Sequence, residues 1–454
     1  MSDNEKEQTE LQNRLERIFQ AVEGNELESA GTELNGLYPA EIAHLLESLP
    51  PEKRDFIWQL VNSDLQGEIL LEVNDDIRES LISDMDTSEL IAVSENLDDI
   101  DDLADFVQDL PDPDIQLILQ SMDDQDRLRL ETVLSFPEDT AGGLMNTDTI
   151  TLRQDVTVDV VLRYLRRRGA IPAMTDSLIV VDNSNHYLGL VSLTDLLTRE
   201  PQLLISEILN QDLEAIPATM HDSDVATLFQ QRDLVSAPVV SDAGELLGRI
   251  TIDDVVDVIR EDSEHSLMVM AGLNEEDDMF APVFRSSKRR ALWLGINLLT
   301  ALAAAMVIGL FDATIEKLVA LAVLMPVVAS MGGIAGSQTL TLVIRGMALN
   351  QITGSNAKRL LKKELLVAII NGMLWAAVIA VVTISWFGDS KLAIIIAAAI
   401  VINLFVAALA GALIPISLRK MGADPALGGG VVLTTVTDII GFFAFLGLAA
   451  IFLV

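Results

Sequence analysis

Residues Gly428–Val454 read GGGVVLTTVTDIIGFFAFLGLAAIFLV, an apolar run interrupted near its middle by one carboxylate, Asp438. A hydrocarbon core about 30 Å thick is crossed by about 20 helical residues, so the run predicts a membrane span. A carboxylate at the centre of such a helix costs at least ~2.5–3.5 kcal/mol on insertion scales and commonly marks an ion path. Thr434 and Thr435 lie one helical turn earlier, on nearly the same face, and Thr437 adjoins the Asp. Together they predict a polar stripe. The competing reading is structural, with Asp438 serving as a cap or an interhelical hydrogen-bond partner.

The rest of the C-terminal part extends this pattern. Apolar runs at Ala291–Phe311, Leu318–Ile344, Leu365–Phe387, Leu392–Leu418 and Leu427–Val454 predict five spans. Arg285, Lys288, Arg289 and Arg290 precede the first run; Arg345, Lys358, Arg359, Lys362 and Lys363 fill the second loop; Arg419 and Lys420 fill the fourth. The first and third loops hold one base each, Lys317 and Lys391. The positive-inside rule then predicts a multi-pass protein of the cell inner (plasma) membrane, with its N-terminus cytoplasmic and its C-terminus outside. The second run contains MPVVASMGGIAGSQTLTLVIRG, Met325–Gly346, which places Pro326, Gly332, Gly333, Gly336 and Gln338 within a span. Small residues allow close helix approach, and freed carbonyls can face a water-filled path. Both a packing seam and a solute path fit these residues. No Gly-Lys-Ser/Thr follows, so the glycines are not a phosphate loop.

Five spans seldom enclose a pore by themselves. A two-fold dimer would bring two polar stripes and two Asp438 carboxylates to one axis. Facing carboxylates repel unless a cation lies between them. Among hard cations Mg²⁺ suits the site best, because it binds through one or two carboxylates and keeps several waters.

Charge is segregated along the chain. The 454 residues carry a net −38. From Arg285 onward there are 13 bases and 6 acids, whereas the preceding part holds 62 acids against 17 bases, a net −45. An acidic surface gathers cations and repels nucleic acid, so no nucleic-acid partner is expected. There is no cysteine, which excludes disulfides and thiolate metal sites, and the four histidines are scattered. The opening MSDNEKEQTE has no basic n-region or apolar core and is not expected to be a signal peptide. No Ser-His-Asp, Walker or HExxH pattern is present, so the chain is not expected to be an enzyme.

Within the acidic part, SLIVVDNSNHYLGLVSLTDLL (Ser177–Leu197) matches SAPVVSDAGELLGRITIDDVV (Ser236–Val256) at a constant offset of 59. Each copy has an apolar strand, a turn and Gly-φ-φ-Ser/Thr-x-x-Asp, and each follows a run of helical period, VTVDVVLRYLRRRG or SDVATLFQQRD. A tandem βαββα unit resembles a CBS pair. In that family the Ser/Thr and Asp can hold a nucleotide ribose. Ser192, Asp195, Thr251 and Asp254 are therefore candidates for ATP or another adenine nucleotide, with helix capping as the plainer role. Residues before the repeat carry no strand signal, and their Leu, Ile and Val recur at three- and four-residue spacing. They predict a small α-solenoid.

Acids cluster in LDDIDDLAD (Asp98, Asp99, Asp101, Asp102, Asp105), in DDVVDVIREDSEH (Asp253, Asp254, Asp257, Glu261, Asp262, Glu264) and in NEEDD, which includes Glu275 and Glu276. A solvated surface is the ordinary reading of such runs. Dense like charge also loosens a compact form unless cations neutralise it, which makes a usable sensor.

The domain order that follows is 1–141, an acidic helical N domain; 142–262, tandem CBS domains (142–200 and 201–262); 263–288, a connecting or plug helix; and 289–454, a transmembrane domain of five helices. The expected fold class is multidomain α plus α/β plus membrane. This order resembles the MgtE family of magnesium channels and transporters from about Leu34 to Val454, and FPEDTAGGLM, MPVVASMGGIAGSQTLTLVIRGMAL and DPALGGGVVLTTVTDIIGF look like the family's stretches. The resemblance implies a homodimer whose pore is lined by the second and fifth spans. It implies hydrated Mg²⁺ at Asp438 with Thr434 and Thr435, a lining that includes Gly332, Gly333, Ile334 and Gln338, and closure when cytosolic Mg²⁺ binds the acidic clusters. Two positions depart from the family: Ile334 stands where it commonly has Asn, and Asn350 where it has Gly. They bear on selectivity and leave open transport of Mn²⁺ or Co²⁺, or a non-conducting Mg²⁺ sensor.

Overall fold

The structure, a computed structural model, describes residues 17–18, 31, 33–34, 36–97, 99–108, 110–270, 273, 278–348, 351–352, 356–421 and 424–453. It divides into two compact units, residues 1–264 with 276–282, and residues 265–275 with 283–454.

The first unit begins with short helices α1 (Pro39–Glu47), α2 (Pro51–Trp58), α3 (Ser63–Glu72), α4 (Asp75–Ser83), α5 (Thr87–Asn96), α6 (Ile100–Gln108), α7 (Asp112–Ser121) and α8 (Asp124–Val133). Their starts are local sequence signals. Asn62, Asp86 and Asp123 accept main-chain N–H bonds at N-caps, and Glu89 completes a capping box with Asp86. Helices this short are marginal alone and depend on burial of an apolar face. They obtain it by packing two apart: α1 on α3, α3 on α5, α5 on α7, and α6 on α8. That is the stacking expected of a solenoid.

The CBS pair follows as β1 (Thr151–Arg153), α9 (Val158–Arg168), β2 (Ser177–Val181), β3 (Tyr187–Ser192) and α10 (Leu193–Thr198). After α11 (Ile205–Ile208) come β4 (Ile216–Pro217), α12 (Asp222–Arg232), β5 (Ser236–Val240), β6 (Leu246–Thr251) and α13 (Ile252–Met270). Each sheet pairs its first strand parallel to the second and its second antiparallel to the third. Ser177 pairs with Ser192 and Ser236 with Thr251, so the 59-residue offset is preserved in register. The repeated glycine has a steric reason. A Cβ on Gly248 would lie 2.6 Å from the carbonyl oxygen of Asn146, and one on Gly189 would collide with that of Asn210. One apolar core runs from Leu46, Ile69 and Phe106 of the helices into Phe229, Val239 and Val258 of the second CBS unit. The first CBS unit has its own core around Val158, Val180 and Leu196.

The expected connecting helix at 263–288 is not one element. Helix α13 continues unbroken from the second CBS unit through Met270, and a new helix begins at Val283. No Gly or Pro interrupts residues 252–270, whereas Pro282 precedes the new start. Lys288 consequently lies within the first membrane helix.

The second unit contains α14 (Val283–Gly309), short α15 (Asp312–Lys317), α16 (Ala320–Ala348), α17 (Ala357–Phe387), α18 (Ser390–Lys420) and α19 (Pro425–Phe452). Among the described residues, five of these are long and apolar enough to cross a membrane, which makes the chain a multi-pass membrane protein. The helices exceed the apolar runs because they continue through flanking bases such as Lys358, Arg359, Arg419 and Lys420. The fourth span, α18, is central and packs on α16, α17 and α19. Its apolar window is 56% buried, against 6% for the first span, α14, so α18 is the hub and α14 lies at the margin.

Candidate ion path and acidic cluster

The second span α16 and the fifth span α19 pack together and leave an open groove of about 740 Å³. Gly333, Ile334 and Gln338 of α16 line it with Thr434 and Asp438 of α19. These residues, on two helices about a hundred residues apart in sequence, are among those expected to share a path. Gly332 and Thr435 are not among the lining residues. A Cβ on Gly332 would collide with the side chain of Asn403 in α18, so that glycine serves helix packing. The Thr435 hydroxyl donates to the carbonyl of Val431 at 2.7 Å. Thr434 also donates into its own helix, to Gly430 at 3.1 Å and Val431 at 3.0 Å, and its oxygen remains an acceptor at the groove.

Sequence reasoning missed Ser330, Ser337 and Thr341, which also line the groove. With Ile334 they fall at steps of four, three and four residues, one face of a helix. That spacing was the available signal. Ile334 is the apolar interruption of this stripe and is 58% exposed. The lining thus offers hydroxyl, amide and carboxylate oxygens and no basic side chain. Such a set suits a hard cation that retains water, with Asp438 as its one full negative charge.

In the first unit, the acids of α6 face those of α13. Burial first, then Asp254, Asp102 and Asp99, pushes the Asp101 carboxyl well above the carboxylate range. Burial with Asp99 and Asp253 pushes Asp102 up to about 6; burial with Glu138 and Asp102 pushes Asp105 up to about 8. Asp254 is pushed up to about 7 by burial and Asp253, against bonds from Thr251 that lower it. Burial also raises Asp257 and Glu261, and likewise Glu47 and Glu72 on the solenoid. Asn146 Nδ2 donates to Asp99 at 2.9 Å and to Asp101 at 3.1 Å, easing part of the repulsion. Asp98, Glu275 and Glu276 lie outside the described residues. Asp262 lies on α13 with a partner of its own. Among the described residues no three acidic or histidine side chains converge into a metal cage. Buried, mutually repelling carboxylates still fit Mg²⁺, which needs few direct protein ligands. Glu47 and Glu72, on separate helices, and Glu138, in a turn, were missed because isolated acids carry no pattern.

The two CBS motifs differ. The Ser192 hydroxyl and Arg199 hold Asp195 below the usual carboxylate range, with Ser192 Oγ donating to Asp195 Oδ2 at 2.8 Å and Arg199 Nε donating to Oδ1 at 3.0 Å. Ser192 Oγ also caps α10 by accepting the Asp195 N–H at 2.9 Å. Thr251 donates to Asp254 Oδ2 at 3.1 Å and also to Asp253. Asp254, unlike Asp195, is covered and belongs to the acidic cluster.

A solenoid, a CBS pair and five membrane helices with an oxygen-lined groove define a multi-pass transport protein for a hard cation. Family models match in the same order: the MgtE intracellular N domain at 37–139, CBS domains at 141–201 and 205–261, and the divalent cation transporter MgtE at 325–448. The magnesium transporter MgtE of Thermus thermophilus is 30% identical over 359 residues, 78% of this chain and 80% of its own length. That of Bacillus subtilis is 24% identical over 96% of this chain and 97% of its own length. The chain belongs to the MgtE family, whose members are transporters and not enzymes. A crystal structure of the cytosolic domain of the Mg²⁺ channel MgtE in complex with ATP aligns at 28% identity and a TM-score of 0.48, covering 54% of this chain and 99% of that one.

Proposed function

We propose that the protein is a homodimeric Mg²⁺ channel or transporter of the cell inner membrane, with Asp438 of each protomer holding hydrated Mg²⁺ in the path. The observation that carries this reading is the groove itself: a central carboxylate, flanking hydroxyl and amide oxygens, and no basic side chain. It is open along one side, as half of a two-fold path would be. The N-terminus is cytoplasmic and the C-terminus outside, following the placement of Lys and Arg.

The acidic cluster supports closure by cytosolic Mg²⁺. When the ion is scarce, ionised Asp99, Asp101, Asp102 and Asp105 repel Asp253, Asp254 and Asp257, and the solenoid loosens from the second CBS unit. When it is plentiful, Mg²⁺ held between these carboxylates favours the packed arrangement, and the connecting segment passes that preference to the spans. Each ion shifts the balance only by its differential affinity for the two arrangements. The open Ser192–Asp195 pair is the site for the ribose of ATP or another adenine nucleotide, while Asp254 is committed to the acidic cluster.

Purified protein in liposomes, assayed for Mg²⁺, Mn²⁺ and Co²⁺ flux, tests this reading. Mg²⁺ flux that falls as Mg²⁺ rises on the cytosolic side is expected. Preferential Mn²⁺ or Co²⁺ flux would reassign the cargo, and no flux of any ion would reassign the protein as a sensor.

A further inference from the structure

Asn403 sits in the fourth span with no exposed surface. Its Nδ2 donates to the main-chain carbonyl of Val328 in the second span at 2.8 Å, and its Oδ1 has no donor among the described residues. Leaving a buried amide oxygen unmatched is unfavourable, a cost that an apolar side chain there would not carry. Packing alone therefore does not account for an asparagine. Its neighbours do. A Cβ built on Gly332 of the second span would collide with Nδ2, and one on Gly441 of the fifth span would lie 2.7 Å from the same atom. The planar amide fills a slot between two Cα positions on the two helices that form the groove. Gly332 adjoins the lining residue Gly333, and Gly441 lies three residues beyond Asp438, about 4.5 Å along the helix axis. A polar wedge thus stands behind the groove wall within about one helical turn of its carboxylate.

We propose that Asn403 is a positioning residue for the ion path, whose amide sets the separation of the second and fifth spans behind Asp438 and hence the width in which a hydrated cation is held. This rests on the reading of the groove as the path. The bond to Val328 ties the central helix to the second span, as polar side chains join helices in an apolar medium. The two glycines allow both flanking helices to close on the amide, so the spacing follows the thickness of one planar group.

The test uses full-length protein in liposomes at equal density. Asn403→Ala removes wedge and tether, and Mg²⁺ flux is expected to fall roughly tenfold, the scale of one interhelical hydrogen bond. The Mg²⁺/Ca²⁺ flux ratio is expected to shift with it. A merely structural role would lower the yield of folded protein and leave that ratio unchanged. Gly332→Ala is expected to lose flux by driving a methyl group into the amide. Adding Asn403→Ala to Gly332→Ala vacates the space, so the double variant should conduct better than Gly332→Ala alone. Should Asn403→Ala not yield monodisperse protein, this double variant decides, together with Asn403→Ser, which keeps a donor and should retain more flux and a ratio nearer wild type. Wild-type flux and ratio in Asn403→Ala, or a double variant no better than Gly332→Ala, overturns the proposal. Asp438→Asn, measured alongside, separates the two failures. If it conducts as wild type, the groove is not the path and both readings fall. If it loses flux while the Asn403 variants do not, only the wedge is wrong.

Discussion

His265 Nε2 lies 3.4 Å from Asp424 Oδ2, while Oδ1 of the same carboxylate accepts the N–H of Ala426 at 2.8 Å and caps the fifth span. One side chain thus starts the helix that carries Asp438 and touches the segment that leads from the CBS pair to the membrane. In the proposed gating this contact passes closure to the path. Asp424→Asn keeps the cap, since Asn caps helices as well as Asp does, but removes the charge facing His265. Both His265→Ala and Asp424→Asn should raise the Mg²⁺ concentration needed for half-inhibition of flux and leave maximal flux near wild type. Inhibition curves that overlay the wild type would remove the contact from the gating route.

In the proposed gating, acidity should replace Mg²⁺ in holding the acidic unit compact. Burial raises the carboxyls of Asp102, Asp254 and Asp105 to about 6, 7 and 8 in the packed arrangement. A group whose folded value is raised favours that arrangement below its unfolded value and loses this contribution as pH rises through the folded value. Packing without metal should therefore be tight near pH 5 and loosen between about pH 6 and 8. Protons and Mg²⁺ compete for the same oxygens, so the effect of Mg²⁺ should be largest at pH 8 and small at pH 5. The chain has no cysteine, so spin labels at Leu128→Cys and Leu197→Cys report the solenoid-to-CBS distance directly. A metal-free distance that is the same at both pH values would contradict this account.

A buried ion pair fixes the end of the connecting segment to the solenoid. Arg54 Nη1 and Nη2 each donate to the Asp278 carboxylate at 3.1 Å, and Arg54 Nε and Nη2 donate to the carbonyls of Leu46 and Leu49, both at 3.0 Å. Arg54 is 2% and Asp278 6% exposed at the side chain, so solvent screens little of the pair. Removing one partner of a buried pair typically costs about 3–5 kcal/mol, whereas replacing both with apolar groups can be near neutral. Arg54→Ala should therefore lower the unfolding midpoint of the first unit in urea markedly, and Arg54→Met with Asp278→Leu much less. Equal losses in the two variants would show that the arginine acts through its carbonyl bonds alone.

Much of this was legible in the sequence because it rests on local chemistry. The five spans follow from run length, the CBS pair from the offset that joins Gly189, Ser192 and Asp195 to Gly248, Thr251 and Asp254, and the solenoid from short periodic runs behind Asp and Pro. Asp438 stood out by its cost in an apolar helix. What was not legible depends on which helices touch. Asn403 resembles a tolerated polar residue until Gly332 and Gly441 close on it, and Gly332 reads as path lining until the amide behind it is seen. Thr435 shares a helical face with Asp438, yet it does not line the groove. Asp278 belonged to an acidic run, and only the fold pairs it with Arg54, 224 residues away. The boundary expected near residue 263 falls inside one helix, because no Gly or Pro interrupts residues 252–270 to mark an end.

The central claim is that Asp438 holds the transported ion, and Asp438→Asn tests it most directly, since the substitution keeps side-chain volume and removes the charge. Mg²⁺ uptake into liposomes carrying equal amounts of wild-type and variant protein, both monodisperse in detergent, is the measurement. The account predicts that Mg²⁺ flux is lost or strongly reduced and that its selectivity over Na⁺ falls. Mg²⁺ uptake at the wild-type rate with unchanged selectivity would contradict it.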